Sequence, residues 1–270
     1  MALLIDSHCH LDFPAFDADR TTVLEQAVAG GVAAIIVPGV EAASWPRLLD
    51  LCRHTPCLHP APGLHPLLTA QHGDDALDRL ERLLAEQPVV AIGEIGLDFY
   101  PDGVDRERQI ALFEAQLAIA RDAALPVLLH VRKAHDEVLK RLRRAGLRGG
   151  IAHAFNGSLQ QAQQYIELGF LLGFGGAATF PQARRLRHLL CQLPSEALAL
   201  ESDAPDMPPA WLHGARNSPA ELPRLCTELA ALRGEPAARL AAASSDNVSR
   251  LLGITACTTT ESATDGIIGA

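Results

Sequence analysis

Short apolar runs recur along the chain at nearly even spacing, and each is followed by a stretch in which apolar residues return every three or four positions. The runs cover 2–7, 33–38, 57–63, 89–95, 126–131, 149–154, 169–174 and 197–202. Runs of this length bounded by turn residues read as buried strands. The segments between them, 20–30, 75–87, 105–124, 134–145, 159–168, 183–192 and 219–231, read as amphipathic helices. In 105–124, for example, Ile110, Phe113, Leu117 and Ala120 fall on one helical face.

Eight strand-then-helix units within about 255 residues predict an α/β fold of the TIM (β/α)8 barrel type rather than a doubly wound sheet. No glycine-rich phosphate loop follows the first strand, which argues further against a dinucleotide fold. No composition shift or linker interrupts the pattern, so a single barrel domain is expected over 1–254. The segment 255–270 mixes Thr, Ser, Gly and small apolar residues without periodicity and is expected to be a flexible tail.

Composition narrows the class. With 48% hydrophobic and only 4% aromatic residues, the core must be aliphatic. The six cysteines contain no CxxC pair, which argues against a zinc ribbon or a disulfide framework and fits a reducing compartment. No signal peptide is visible and no apolar run reaches the roughly 18 residues of a bilayer span, so a cytoplasmic protein without membrane contact is expected. No obligate protein partner is visible. A net charge of −9 argues against a broad basic surface coating duplex DNA, but not against a nucleic-acid enzyme whose cations meet phosphate locally.

In such barrels the reacting groups stand at the C-terminal ends of the strands. Those ends here are His8-Cys9-His10, Gly63-Leu64-His65-Pro66, Gly93-Glu94-Ile95-Gly96-Leu97-Asp98, His130-Val131-Arg132, His153-Ala154-Phe155-Asn156-Gly157 and Glu201-Ser202-Asp203-Ala204-Pro205. His8 and His10, two apart in an extended chain, point the same way. Taken singly, each has an ordinary structural explanation: His65 as a turn residue before Pro66, Asp203 as a helix cap. Six polar strand ends aimed at one mouth do not. Glu94 sits between apolar neighbours, where a lone carboxylate is costly unless a cation or donor meets it.

Four histidines and two carboxylates exceed what one tetrahedral ion takes, so two divalent ions (Mg2+, Mn2+ or Zn2+) with a bridging carboxylate are expected. Glu94 is the bridging candidate and a catalytic residue. His8, His10 and Asp203 would hold one ion, and His130 and His153 the other. Asp203 is the second catalytic candidate, within reach of the water such ions activate. Arg132, Lys133 and Arg216 are available to place a phosphate oxygen. Phe99, Tyr100, Phe155 and Trp211 are the few aromatics near strand ends. The remaining histidines, His54, His59, His72, His135, His188 and His213, are expected to be surface or structural.

These motifs, with Ile5-Asp6-Ser7-His8-Cys9-His10-Leu11-Asp12, Arg216-Asn217-Ser218-Pro219 and Asn247, resemble the TatD family of metal-dependent hydrolases in the amidohydrolase superfamily. The resemblance runs from residue 3 to about 253. It implies a two-metal TIM barrel that hydrolyses DNA phosphodiesters, often as a Mg2+-dependent exonuclease. It carries the ligand roles onto His8, His10, Glu94, His130, His153 and Asp203, and substrate contacts onto His65 and Arg132, with Arg216 as a further substrate-binding candidate. Ala154 and Ser202 depart from the Cys or Ser and the Thr common in the family, and neither replaces a ligand. The expected function is a metal-dependent deoxyribonuclease whose partner is DNA, single-stranded or at 3′ ends. The alternatives are a small-molecule hydrolase of a lactone, amide or phosphoester, and a non-catalytic barrel, against which the complete ligand set argues.

Overall fold

The computed structural model describes residues 3–212 and 214–255. Among them, eight parallel strands alternate with helices in the expected order. They are β1 (Leu4–Asp6), β2 (Val32–Pro38), β3 (Leu58–Ala61), β4 (Ile92–Asp98), β5 (Val127–Arg132), β6 (Gly150–Ala152), β7 (Phe170–Phe174) and β8 (Leu198–Leu200). The helices are α1 (Arg20–Ala29), α2 (Trp45–Arg53), α3 (Ala76–Glu86), α4 (Arg106–Asp122), α5 (His135–Ala145), α6 (Leu159–Glu167), α7 (Arg184–Gln192), α8 (Leu222–Arg233) and α9 (Ala237–Leu252). Helices α2 and α9 were not singled out from the pattern. The expected tail lies, from residue 256 onward, outside the described residues, as does His213.

The ladders form two parallel sheets, β1-β2-β3 and β4 through β8 in order, and hydrogen bonds bridge both seams into a TIM barrel. On one side, Val90 N–H donates to Pro60 C=O and Gly93 N–H to Pro62 C=O; on the other, Ser7 N–H donates to Leu200 C=O at 3.0 Å. The close approach at the first seam depends on glycine, because a Cβ on Gly63 would lie 2.6 Å from the Gly93 carbonyl carbon.

Strand alternation sorts the core into two layers. Ile5, Ala34, Ile36, Ala61, Leu128, Ile151, Leu171 and Ala199 point into the barrel, where Val248 and Leu252 of α9 cover one end. Their neighbours along the strands pack outward against the helices. Those helices are locally encoded. In α5, Asp136 and Glu137 lie in the first turn and Arg143 and Arg144 in the last, matching the helix dipole, and Gly146 stops it in a left-handed conformation. In α6, Ser158 and Gln161 form a reciprocal capping box.

One boundary differs from expectation in a way that matters. The pattern places the fourth strand at 89–95, with Glu94 near its end, but β4 runs on to Asp98. Gly96-Leu97-Asp98 pairs with His130-Val131-Arg132 of β5, and the register shifts between Ile92 and Ile95. Glu94 therefore stands inside the strand, deeper in the mouth.

Candidate metal centre

His8 and His10 lie just past β1, where the chain stays extended because Cys9 N–H donates to Ile36 C=O and His10 N–H to Ala204 C=O. Asp203 N–H donates to His8 C=O at 2.8 Å, so one backbone bond sets the spacing of these two residues. Asp203 adopts a left-handed backbone, φ 56°, a conformation that aspartate tolerates better than most residues. Behind them, buried Asp6 accepts from Ser202 N–H at 2.9 Å and His8 N–H at 3.3 Å, stitching the ends of β1 and β8 together.

Glu94 occupies the centre. Its Oε2 lies 3.4 Å from both His8 Nε2 and His10 Nε2. Its Oε1 lies 2.8 Å from His130 Nδ1, 2.9 Å from His153 Nε2 and 3.6 Å from His65 Nε2. Asp203 Oδ1 stands 3.8 Å from His8 Nε2 and 3.9 Å from His10 Nε2. Three triads have all their donor atoms within 4.8 Å of one another: His8-Glu94-His153, His8-His10-Asp203 and His65-Glu94-His130. All six residues expected to be ligands thus converge. His65, expected only to face substrate, joins the same group.

The charges fit a cation. Burial alone would raise the Glu94 carboxyl, but His153, His65 and His8 around it hold it well below the ordinary value. Burial also opposes charge on His153, yet Glu94 and Asp203 outweigh it and push the imidazole up to about 10. His8 is driven down to about 3, first by burial and then by the neighbouring His153, so its ring is neutral. His8 Nε2 and His10 Nε2 sit 3.3 Å apart and face the same carboxylate oxygen. Imidazole nitrogens and carboxylate oxygens set this way are a donor set for a divalent ion.

The substrate candidates are placed differently. Arg132 stands at the mouth, its guanidinium 3.6 Å over the Tyr100 ring. Arg216 does not join the cluster: it donates to both oxygens of Asp19, at 2.9 and 2.6 Å, and to Ala15 C=O.

The structure also adds residues that the sequence did not single out. Asp98 Oδ2 lies 3.0 Å from His130 Nε2, orienting that ring from behind. Glu201, buried and raised to about 8 by burial, accepts from Ala154 N–H and lies 3.8 Å from His153 Nδ1. It fits only because β7 has glycine there, since a Cβ on Gly173 would meet its Oε2 at 2.2 Å. Two glutamines of α4 clamp the scaffold: Gln109 exchanges both amide bonds with the Asp98 backbone, and Gln116 does so with Leu64, next to His65. His72 Nε2, 3.0 Å from His65 C=O, braces the same loop, and His135 bonds Tyr165 and Asn156 in a structural role.

Residues 5–253 match the family model described as TatD related DNase. The chain belongs to the TatD family. It is 42% identical over 253 residues to the uncharacterized metal-dependent hydrolase YjjV of Escherichia coli K12, covering 93% of this chain and 98% of that one. The crystal structure of YjjV superposes on the same shares of both chains with a TM-score of 0.90. A second TatD relative, from Erwinia tasmaniensis, is named 3′-5′ ssDNA/RNA exonuclease TatD and is 32% identical, covering 93% of this chain and all of that one. Family and cluster together establish a metal-dependent hydrolase acting on ester bonds, with a His, Glu and Asp centre for divalent metal.

Proposed function

We propose that the chain is a two-ion phosphodiesterase that hydrolyses DNA, on unpaired strands or at 3′ ends, from a cytoplasmic location. The observation that carries this reading is the division of the Glu94 carboxylate, one oxygen toward His8 and His10 and the other toward His130 and His153. His8, His10 and Asp203 would hold one ion and His130 and His153 the other, with Glu94 between them. When bound, the divalent ions neutralise phosphate charge and bring water within reach of ionisation near neutral pH. Imidazole suits Zn2+, and carboxylate suits Mg2+ and Mn2+.

The protein's own groups do the rest. Asp203 takes the proton of the attacking water; burial, its largest influence, raises this carboxyl and makes it a stronger base. The water oxygen bonds to phosphorus, the bond from phosphorus to the leaving oxygen breaks, and the proton passes from Asp203 to that oxygen. Arg132 and His65 flank the centre where non-bridging phosphate oxygens would lie. Arg216, whose donors are taken by Asp19, holds the segment after His10 in place instead. The name of the Erwinia relative supports a nucleic-acid substrate.

A second reading, a hydrolase of a small lactone, amide or phosphoester, draws on the net charge of −9 and the scarcity of aromatics for stacking bases. The test is a substrate panel with Mg2+, Mn2+ or Zn2+ restored after chelation: single-stranded DNA, duplex DNA, RNA, simple lactones and phosphoesters. Turnover of single-stranded DNA is expected. Activity confined to the small molecules would reject the nuclease and leave the metal centre standing.

A further inference from the structure

The metal centre lies between two hollows that share His130, His153 and Asp203. The smaller, about 300 Å³, opens toward Phe13 and His65. The larger, about 440 Å³, runs past Phe155 and Phe174 to Leu186 and Met207. Its floor is apolar and its size falls in the small-molecule range of about 300–1,000 Å³, room for one nucleoside and not for a stacked pair.

The rim of this larger hollow is cationic. Arg132 lines one side. On the other, α7 begins with Arg184 and Arg185 directly before Leu186, and Arg185 donates to the carbonyl of Asn156, a lining residue, at 2.6 Å. Arg187 reaches toward Ala178 C=O on the same side. Among the described residues, Arg184, Arg185 and Arg187 form no ion pair with a carboxylate, and Arg132 acts on Asp98 only at longer range. Their placement also runs against local preference. The first turn of a helix disfavours cations by about 0.3–1 kcal/mol each, and α7 has no acidic residue there. A chain with nine excess negative charges has nonetheless gathered unpaired arginines at one lip of its active site. Local rules are broken where function requires it.

We propose that this hollow and its rim form a strand-binding subsite: Leu186 and Met207 receive the nucleoside next to the cleaved phosphate, and Arg185 holds the phosphate that follows. The inference rests on the nuclease reading and adds to it the residues that hold the substrate beyond the reacting group. A guanidinium fork over an apolar floor matches the alternating phosphate and nucleoside of an unpaired strand.

The test uses a labelled 12-nucleotide DNA strand, bound in chelator across a salt series and hydrolysed with Mn2+. Arg185→Ala is expected to raise KM about tenfold with a much smaller change in kcat, and to flatten the slope of log affinity against log salt by about 0.7, one phosphate contact on a single strand. Leu186→Trp, which fills the hollow, is expected to depress kcat/KM more for the strand than for a small aryl phosphodiester. Arg121→Ala, at the far end of α4, is the control for simple charge loss and keeps the wild-type slope. If the wild type degrades the strand while Arg185→Ala and Leu186→Trp keep its KM and salt slope, the subsite is wrong and the nuclease reading survives. If the wild type neither binds nor degrades the strand but cleaves small esters, both fall.

Discussion

At the N-terminal end of the barrel, α9 sets Val248 and Leu252 against the interior layer, and each of its buried polar side chains meets a backbone group. Ser244 accepts from Leu200 N–H; Ser245 accepts from Ile5 N–H and donates to Leu3 C=O; Asn247 donates to Ser195 and Leu198 C=O. At the opposite end, a few residues along the same strands, His8, His10 and His153 keep Nδ1 atoms, Asp6 an Oδ2 and Glu201 an Oε2 without a hydrogen-bond partner among the described residues. One end is finished by the polypeptide alone. The other leaves buried polar atoms behind the donor set unpaired, a cost in stability borne at a functional site.

The largest expected effect breaks the ligand end. Glu94→Ala and Asp203→Ala should each lower hydrolysis by at least about a thousandfold, and Glu94→Ala should also cut bound metal per chain, measured by elemental analysis. Asp203→Ala should leave Tm in chelator nearly unchanged. Retention of a tenth of the activity by Glu94→Ala would remove the bridging role. At the finished end the signs reverse. Asn247→Ala leaves two buried carbonyls without a donor and should cost about 1–3 kcal/mol of stability, seen as a lower Tm, with kcat per folded molecule preserved. A loss of kcat at unchanged Tm would mean that the two ends are not separate in function.

The smallest effect concerns pH. The Glu201 carboxyl, raised from an ordinary 4.5 to about 8 by burial, binds its proton more tightly folded than unfolded. Stability should therefore fall as pH rises from about 4.5 through about 8, because the unfolded chain releases that proton first. Glu201→Gln keeps an acceptor for Ala154 N–H and cannot ionise, so in chelator its Tm should exceed the wild type's increasingly across that window. Parallel Tm curves would show that Glu201 is not held protonated.

Periodicity and strand-end chemistry made the barrel and the six residues that converge at its mouth legible, because a histidine or carboxylate closing an aliphatic run has few structural uses. What stayed hidden depended on distance in sequence. Gln109 and Gln116 are almost fully buried, at 2% and 1% exposure, on a helix whose pattern assigned that face to Ile110 and its neighbours. Nothing local says that an amide will complete a strand end 11 or 52 residues away. Arg216 reads as a free cation until Asp19, 197 positions earlier, is seen to hold it. Helix α9, rich in Ala and Ser, docks partly through hydroxyl and amide bonds to distant backbone groups, which periodicity does not announce.

The division of the sheet into three strands and five has a consequence for how the protein endures heat. His8, His10 and His65 arise from the three-strand part; Glu94, His130, His153 and Asp203 arise from the five-strand part. Neither part alone presents the whole donor set, so tight coordination exists only when both seams are closed. A ligand confined to the closed form shifts unfolding by mass action, by about 2.7 kcal/mol at a hundredfold excess over its dissociation constant. The molecule's melting temperature should then rise and fall with the free metal around it, making the barrel's durability a gauge of the cell's divalent-ion supply.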